Sequence, residues 1–233
     1  MTLASFGVQV PRLGVRTRMR ASVRRLADVR HRVGLRRLGA IERPEYRRYL
    51  DVQLRRTLGK RANDPGIGLR VLIEETIARG HPEPGARVLC VGCRNGVELD
   101  EFRARGFEDT VGIDLFSQRP DILVMDMHRM TFPDGSFDVV FASHALEHSY
   151  DLATVIGEIG RVARDGGVVA VEVPVGGRAS EADRLEFGGV NELREAFRPD
   201  IGEELWADEQ PPRTPTNEQG TDVARLVFRL RKG

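Results

Sequence analysis

The stretch Ala86–Glu98, ARVLCVGCRNGVE, limits the folds open to this chain more than any other. Val88, Leu89 and Val91 form a short apolar run without charge, the composition of a strand buried on both faces of a sheet. Gly92 and Gly96 bracket a tight turn, and Val97–Arg105 continues with a helical pattern. A strand, a glycine turn and a helix in that order aim backbone N–H groups and a helix N-terminus at one spot, which suits a ligand carrying a carboxylate or a phosphate. Two glycines alone are a weak signal. The weight comes from the segments downstream: a strand ending in an acid at Val111–Asp114, another at Ile122–Asp126, and the apolar run Phe137–His144.

Strand and helix patterns alternate through most of what remains. Tyr150–Ala163 reads as a helix with Leu152, Val155, Ile156, Ile159 and Val162 on its apolar face, ended by Gly166-Gly167. Val168–Pro174 reads as a buried strand, Gly176–Gly189 as a polar loop and Glu192–Phe197 as a short helix. Ile201–Ala207 and Val223–Leu230 close the pattern as two strands joined by Pro211–Gly220. Between Asp114 and Asp126 the run LFSQRPDILVM is too short for a crossover helix plus a strand, so a compact loop is expected there. Upstream, a helix starts near Pro44 with Tyr46, Leu50, Leu54 and Leu58 on one stripe. Asn63–Gly66 is a turn, and a third helix, Leu69–Ala78, ends at Gly80. This order predicts an α/β fold: a doubly wound, mostly parallel, seven-stranded Rossmann-like sheet with a helical N-terminal extension. The expected division is an arm at 1–40 and a domain at 41–233, with a helical lid at 41–80, a core at 86–175 and closing strands at 201–231.

A net charge of +1 hides a split. Met1–Arg61 carries about seventeen basic residues against about four acids, so the remainder is acidic. Within Arg12–Arg37 the apolar residues Val15, Met19, Val23, Leu26, Val29 and Val33 recur at three- and four-residue steps among arginines, the pattern of a basic amphipathic helix. Such an arm either packs on its own domain or meets an anionic surface, and the apolar stripe favours a membrane over nucleic acid. No stretch approaches the length needed to span a bilayer and no export signal is evident, although the arginine-rich start shares features with organelle transit peptides. A cytoplasmic protein, peripheral at a membrane through the arm, is the expectation. Cys90 and Cys93 are the only cysteines; with two residues between them they lack further zinc ligands and a disulfide framework, and they read as buried or loop thiols.

The runs VLCVGCRNG, GIDL and MDMHRMTFPDGSFDVVFASHALEH together resemble class I S-adenosylmethionine-dependent methyltransferases of the group acting on small molecules and sugars. The resemblance covers about Ala86–Val175. It implies that Gly92, Cys93, Arg94 and Gly96 wrap the methionine part of S-adenosylmethionine, and that Asp114, followed by Leu115, accepts hydrogen bonds from both ribose hydroxyls. Asp126 and the Met127 backbone would meet the adenine edge, and Ser143 and His144 would line the mouth where the methyl moves. Three departures stand out: Cys90 occupies the place of an acid, Arg94 replaces a glycine, and the helix after Asp114 is missing. Arg94 is either a partner for the methionine carboxylate or an exposed loop arginine. Cys93 is expected to pack in the turn.

His144, Glu147 and His148 form an H-x-x-E-H group whose members share a face if they sit on a helical turn. Either histidine is a candidate general base, a structural cap being the competing reading, and no metal is assigned. The expected function is methyl transfer from S-adenosylmethionine to a small-molecule or saccharide-like acceptor, at oxygen before nitrogen. Polar loop residues, Arg178, Glu181, Asp183, Arg184, Arg213, Asn217, Glu218 and Gln219, favour a hydroxyl-rich acceptor. RNA methylation and a non-catalytic S-adenosylmethionine-binding or scaffold protein are the alternatives. Low aromatic content and no appended module speak against RNA, so nucleic acid is not the expected partner.

Overall fold

A computed structural model describes residues 44–59, 67–117, 119–176, 179–210 and 222–233. The basic arm at 1–40, the Asn63–Gly66 turn, Arg178 and the Pro211–Gly220 loop lie outside them. Seven strands form one sheet: β1 (Val88–Val91), β2 (Thr110–Asp114), β3 (Ile122–Val124), β4 (Phe137–Ser143), β5 (Ala163–Val175), β6 (Ile201–Gln210) and β7 (Asp222–Leu230). Their spatial order is β3-β2-β1-β4-β5-β7-β6. β1 to β5 run parallel, and β7 pairs antiparallel with both β5 and β6. Five helices accompany the described strands: α1 (Pro44–Gly59), α2 (Ile67–Gly80), α3 (Val97–Ala104), α4 (Leu152–Val162) and α5 (Val190–Phe197). None is long and apolar enough to cross a membrane.

Alternation along the strands divides the core into two layers. Leu89, Val91, Val140 and Ala142 face α4 and α5, where Val155, Ile159, Leu193 and Phe197 are buried against them. Val88, Cys90, Val139 and Phe141 face the other way, onto Leu72 and Ile73 of α2 and Leu99 and Phe102 of α3. Because both sheet faces are covered, the inner strands read as continuous apolar runs. The chain reverses its winding at β1, which has β2 on one side and β4 on the other, and a crevice opens above that reversal.

Several boundaries differ from the sequence expectation. Gly166-Gly167 does not end the helix. α4 stops at Val162, and Ala163 is already extended (φ −68°, ψ 143°) and paired with Phe137. The glycines sit in an irregularity of β5, where the register shifts between Phe137 and Val139 and a Cβ on Gly167 would lie 2.9 Å from the Arg164 carbonyl oxygen. α4 begins at Leu152 because Asp151 caps it, its Oδ1 accepting from the Thr154 N–H at 3.3 Å. β3 ends at Val124, so Asp126 lies in the turn beyond the strand and not at its end. The connection after Asp114 holds no helix, as its length required.

Gly112, in the middle of β2, lets the glycine turn and α3 approach the sheet closely. A Cβ there would lie 2.5 Å from Cys93 Sγ, 2.9 Å from Leu99 Cδ1 and 3.1 Å from Ile122 Cγ1. Gly112→Ala is therefore expected to destabilise the protein by roughly 1–3 kcal/mol through overpacking. Adding Cys93→Ala should return part of that loss, read as the urea midpoint. A double variant no more stable than Gly112→Ala would show that the thiol contact is not what excludes a methyl group.

Candidate active site

Gly92 leaves the end of β1 with φ +74°, and a Cβ on it would fall 2.6 Å from the Cβ of Ala145. Only glycine meets both conditions, the left-handed backbone and the close approach of the turn after β4. Gly96, also at φ +74°, caps α3. Between them Arg94 turns its backbone N–H onto Asp114 Oδ2 at 2.9 Å, while Phe116 N–H donates to Oδ1 at 3.0 Å. Each oxygen of Asp114 keeps acceptor capacity for a further donor. Burial pushes the Asp114 carboxyl up to about 6, against the pull of those two backbone N–H groups. Glu98, on the first turn of α3, is pushed up to about 7 by burial, and its Oε2 is buried without a hydrogen-bond partner. Arg119 holds the glycine loop from outside: its Nη1 donates to the carbonyls of Asn95 and Gly96, both at 3.3 Å, and its guanidinium also binds Asp100 and Asp121.

A cavity open to solvent, about 490 Å³ of unfilled space when its open mouth is included, lies over the β1/β4 crevice. The strand order β2-β1-β4 sets Asp114 at one end and His144 at the other, with Gly92 between, and Ile113, Leu115, Met125, Met127, Ala145 and His148 complete this part of the lining. Tyr49, Gln53 and Thr57 of α1 cover it. These three recur at four-residue steps, one position round from the Tyr46/Leu50/Leu54/Leu58 stripe singled out in the sequence. That ladder of hydrogen-bonding side chains beside an apolar stripe was the signal for them. Leu50 and Leu54 of the stripe are buried, as a packing face requires.

Of the expected cofactor-site residues, Gly92, Asp114, Leu115 and Met127 line the cavity. Cys93 does not: its thiol is buried in the α2/α3 layer, 3.6 Å from the Ile113 carbonyl oxygen. Gly96 and Arg94 act through backbone at the loop. Ser143 lies beneath the floor and donates to Glu172 Oε1 at 2.7 Å. Asp126 is buried and committed elsewhere. The Tyr46 hydroxyl donates to its Oδ2 at 2.5 Å, and His128 reaches Oδ1 through its backbone N–H (2.9 Å) and Nδ1 (2.7 Å). Since the Tyr150 N–H donates to His128 Nε2 at 2.9 Å, that nitrogen is the acceptor and Nδ1 carries the proton. Burial alone would raise the Asp126 carboxyl, but the bonds from His128 and Tyr46 hold it below its ordinary range.

The H-x-x-E-H group does converge, without an α-helical turn. Leu146–His148 is a single 3-10 turn, and His144 precedes it with φ +50°, a conformation that L side chains rarely adopt. Glu147 is buried between the two rings, its Oε1 3.7 Å from His144 Nδ1 and 3.6 Å from His148 Nε2. Burial works to raise Glu147, yet the adjacent histidines hold it below the ordinary range. His148 Nδ1 lies 3.0 Å from Asp183 Oδ1, an atom that Arg56 of α1 also pairs with. Among the described residues, Glu147, His148 and Asp183 bring donor atoms within 4.8 Å of one another. Arg56 already gives that carboxylate a positive partner. Gln53 adds a second tie from α1, donating to the Ala182 carbonyl at 2.7 Å.

Known proteins place these features in a family. The profile of the family described as Methyltransferase domain matches residues 24–200. Over 140 residues the chain is 28% identical to the malonyl-[acyl-carrier protein] O-methyltransferase of Serratia marcescens, covering 56% of this chain and 50% of that protein. Over 98 residues it is 37% identical to the ubiquinone biosynthesis O-methyltransferase of Hahella chejuensis, covering 36% of this chain and 41% of that protein. The chain thus spans about half or less of these curated relatives. Among solved structures, the [4+2]-cyclase SpnF superposes with a TM-score of 0.60 at 19% identity, over 81% of this chain and 95% of that one. That likeness speaks for the fold alone.

The two raised carboxyls set a stability profile. Asp114 and Glu98 hold protons in the folded chain that the unfolded chain, with ordinary carboxyls near 4, has released. Between about pH 4 and 7 the folded state binds more protons, so these groups lower stability as pH rises. Asp114→Asn should therefore gain stability relative to the parent protein between pH 5 and pH 7.5, by on the order of 2 kcal/mol. Denaturant melts of both proteins without ligand, at the two pH values, measure it. A pH-independent difference would mean that Asp114 is an ordinary carboxylate.

Proposed function

The chain belongs to the methyltransferase-domain family, in the class I S-adenosylmethionine-dependent group, and we propose that the protein it forms methylates an oxygen of a small, hydroxyl-bearing acceptor. The observation that carries this reading is one cavity whose lining holds the Asp114 carboxylate at one end, His144 and His148 toward the other, and the apolar residues Ile113, Leu115, Met125 and Met127. S-adenosylmethionine supplies a methyl group on a positively charged sulfur, activated before the protein acts on it.

Each end of the cavity has its task. Asp114 accepts from the two ribose hydroxyls with the lone pairs that Arg94 and Phe116 leave open, and Ile113, Leu115, Met125 and Met127 flank the adenine. Gly92 lets the backbone approach the methionine part closely, since any side chain there would strike Ala145. The mutual fit of these groups supports the cofactor. Tyr49, Gln53 and Thr57 make α1 a lid, tied down by Gln53 on Ala182 and Arg56 on Asp183. A lid of that kind excludes water and aligns acceptor and methyl group, which supplies much of the rate in a displacement whose electrophile is already activated.

His144, at the cavity and beside two carboxylates, takes the acceptor proton. An alcohol or phenol needs such a base because its oxygen is a poor nucleophile until the proton leaves. The polar character of the end formed by Gln53, Thr57 and His148 favours a hydroxylated acceptor, and the O-methyltransferase names of two relatives point the same way. No metal is assigned.

Titration calorimetry with S-adenosylmethionine, and incorporation of its labelled methyl group into a panel of phenolic and sugar acceptors, test the reading. Asp114→Ala should cost at least about 2 kcal/mol of cofactor affinity, the scale of a lost charge-assisted pair of hydrogen bonds. Equal affinity would remove the ribose assignment. His144→Ala should bind cofactor normally and lose roughly a hundredfold in turnover, whereas a chelator should leave turnover unchanged. Cofactor binding with no labelled product from any acceptor would favour a non-catalytic protein.

A further inference from the structure

His128 does not line the cavity, yet its ring is the joint at which three elements meet. It lies two residues beyond Asp126 in the turn after β3, and its side chain is buried, at 7% exposure. Both ring nitrogens are committed. Nδ1 donates to Asp126 Oδ1 at 2.7 Å, and the other oxygen of that carboxylate accepts from Tyr46 of α1. Nε2 accepts the Tyr150 N–H at 2.9 Å and the Asp151 N–H at 3.3 Å, just before α4. The ring stands nearly perpendicular to those of Tyr46 and Tyr49, with centroids 5.6 and 5.7 Å apart. Tyr150 packs against the same two tyrosines, at 5.0 and 5.5 Å. One imidazole thus ties the seat of α1 to the β3 turn on one side and to the start of α4 on the other.

These partners fit the neutral Nδ1–H tautomer and no other protonation state. A proton on Nε2 would point at two backbone N–H donors, and both would lose their acceptor. The charged ring still has partners of its own. Asp126 keeps it through Nδ1: burial works against that carboxylate, but the bonds from His128 and Tyr46 hold it ionised. The Asp151 carboxyl, held low by Thr154 and also by the charge of His128, attracts the ring from the α4 side. The remaining ionisable groups around it do not change charge near neutral pH. Burial holds the Tyr46 and Tyr49 hydroxyls far above their ordinary range, and Arg184, over the Tyr150 ring at 4.9 Å, carries a fixed positive charge. What the charged ring must leave is the Tyr150 backbone, and Tyr150 is a ring on which α1 rests.

We propose that His128 is the positioning residue of α1: neutral, it holds the helix down over the cavity through Tyr150 and Asp126, and a proton on its ring releases the helix and opens the cavity. Tyr49 belongs both to the ring cluster and to the cavity lining, so a loosened α1 uncovers whatever is bound there. That consequence rests on the reading of the cavity as the cofactor site; the latch itself does not. The sign follows from linkage. The open form binds one proton more than the closed form, so closure weakens as pH falls. Coupling is reciprocal, and a ligand that needs α1 closed favours the neutral ring.

Two measurements on the full-length protein separate the latch from the ligand. Without ligand, nitrogen-15 NMR should show His128 as the Nδ1–H tautomer at about pH 8, and the Tyr150 and Asp151 amide resonances should move as the ring charges on acidification. Hydrogen exchange of α1, corrected for the pH dependence of the chemical step, should speed up by roughly tenfold over the same range. With S-adenosylhomocysteine as the probe, affinity should fall by roughly tenfold between about pH 8 and about pH 5.5. Asp114, pushed up to about 6 by burial, titrates there too, so two variants divide the contributions. His128→Gln offers the Tyr150 N–H an uncharged acceptor at every pH and should lose the part of the fall that belongs to His128. His128→Asn keeps a donor for Asp126 but has no atom at Nε2, and should bind the probe weakly and exchange fast in α1 already at about pH 8. An Nε2–H tautomer, a ring that stays neutral until the protein unfolds in acid, or α1 exchange that ignores the charge on His128 would overturn the proposal. So would a His128→Gln profile identical to that of the parent protein. Should His128→Asn fail to fold, the titration of the parent protein decides. No binding of S-adenosylhomocysteine at any pH, with the NMR and exchange coupling present, would keep the latch and remove the cofactor reading.

Discussion

Parallel pairing of β1 with both β2 and β4 is the constraint on which everything else rests. Val91 lies beside Ile113 on one side and Ala142 on the other. The residues that follow these three positions therefore emerge together at one edge of the sheet. They are Gly92, Asp114 and Ser143-His144, so backbone donors, a carboxylate and an imidazole are neighbours although they are far apart in the chain. Brought to the point where the winding reverses, they bound a crevice that the crossover helices cannot fill.

What closes the crevice is a separate piece of chemistry. α1 sits over the strand ends through an aromatic cluster, Tyr46, Tyr49, Tyr150 and His128, with ring centroids 5.0–5.7 Å apart. Arg184 lies over the Tyr150 ring at 4.9 Å, so this loop arginine packs on the aromatic cluster beneath α1. Asp126 is the polar pin of the cluster, joining Tyr46 of α1 to the turn after β3. Desolvation and the nearby Asp126 push the Tyr46 hydroxyl far above its ordinary range, which keeps it a hydrogen-bond donor. The seating of α1 thus depends on Asp126, a residue that the family resemblance assigns to the adenine edge.

Charge inside the domain is arranged around the same edge. Arg119 neutralises Asp100 and Asp121 outside the glycine loop, and Arg225 does so for Glu172 beneath its far side. Neither arginine touches the cavity. Arg119 holds the loop carbonyls of Asn95 and Gly96, next to the glycine turn, and Glu172, the partner of Arg225, accepts the backbone N–H of His144, which does line the cavity. Removing a carboxylate partner from such a pair leaves a desolvated charge behind, a larger loss than the pair ever contributed.

The sequence by itself determined the sheet, its mostly parallel sense, the glycine turn, the acid after β2 and the missing crossover helix, because burial on both faces, tight turns and loop length are local requirements written in residue type and spacing. It also brought His144, Glu147 and His148 into one group. Tertiary structure alone decided what each side chain meets. Asp126 was taken by Tyr46 and His128, eighty residues away in one case and two in the other; Cys93 went to the core because its position in the turn faces α3, and Gly166-Gly167 joined β5 because Ala163 had already found Phe137. Glu172 and Arg225 gave no signal, since a single acid in a valine strand and a single arginine in another are unremarkable until register sets them side by side. Pairing between distant strands is a property of the assembled sheet, and no local pattern encodes it.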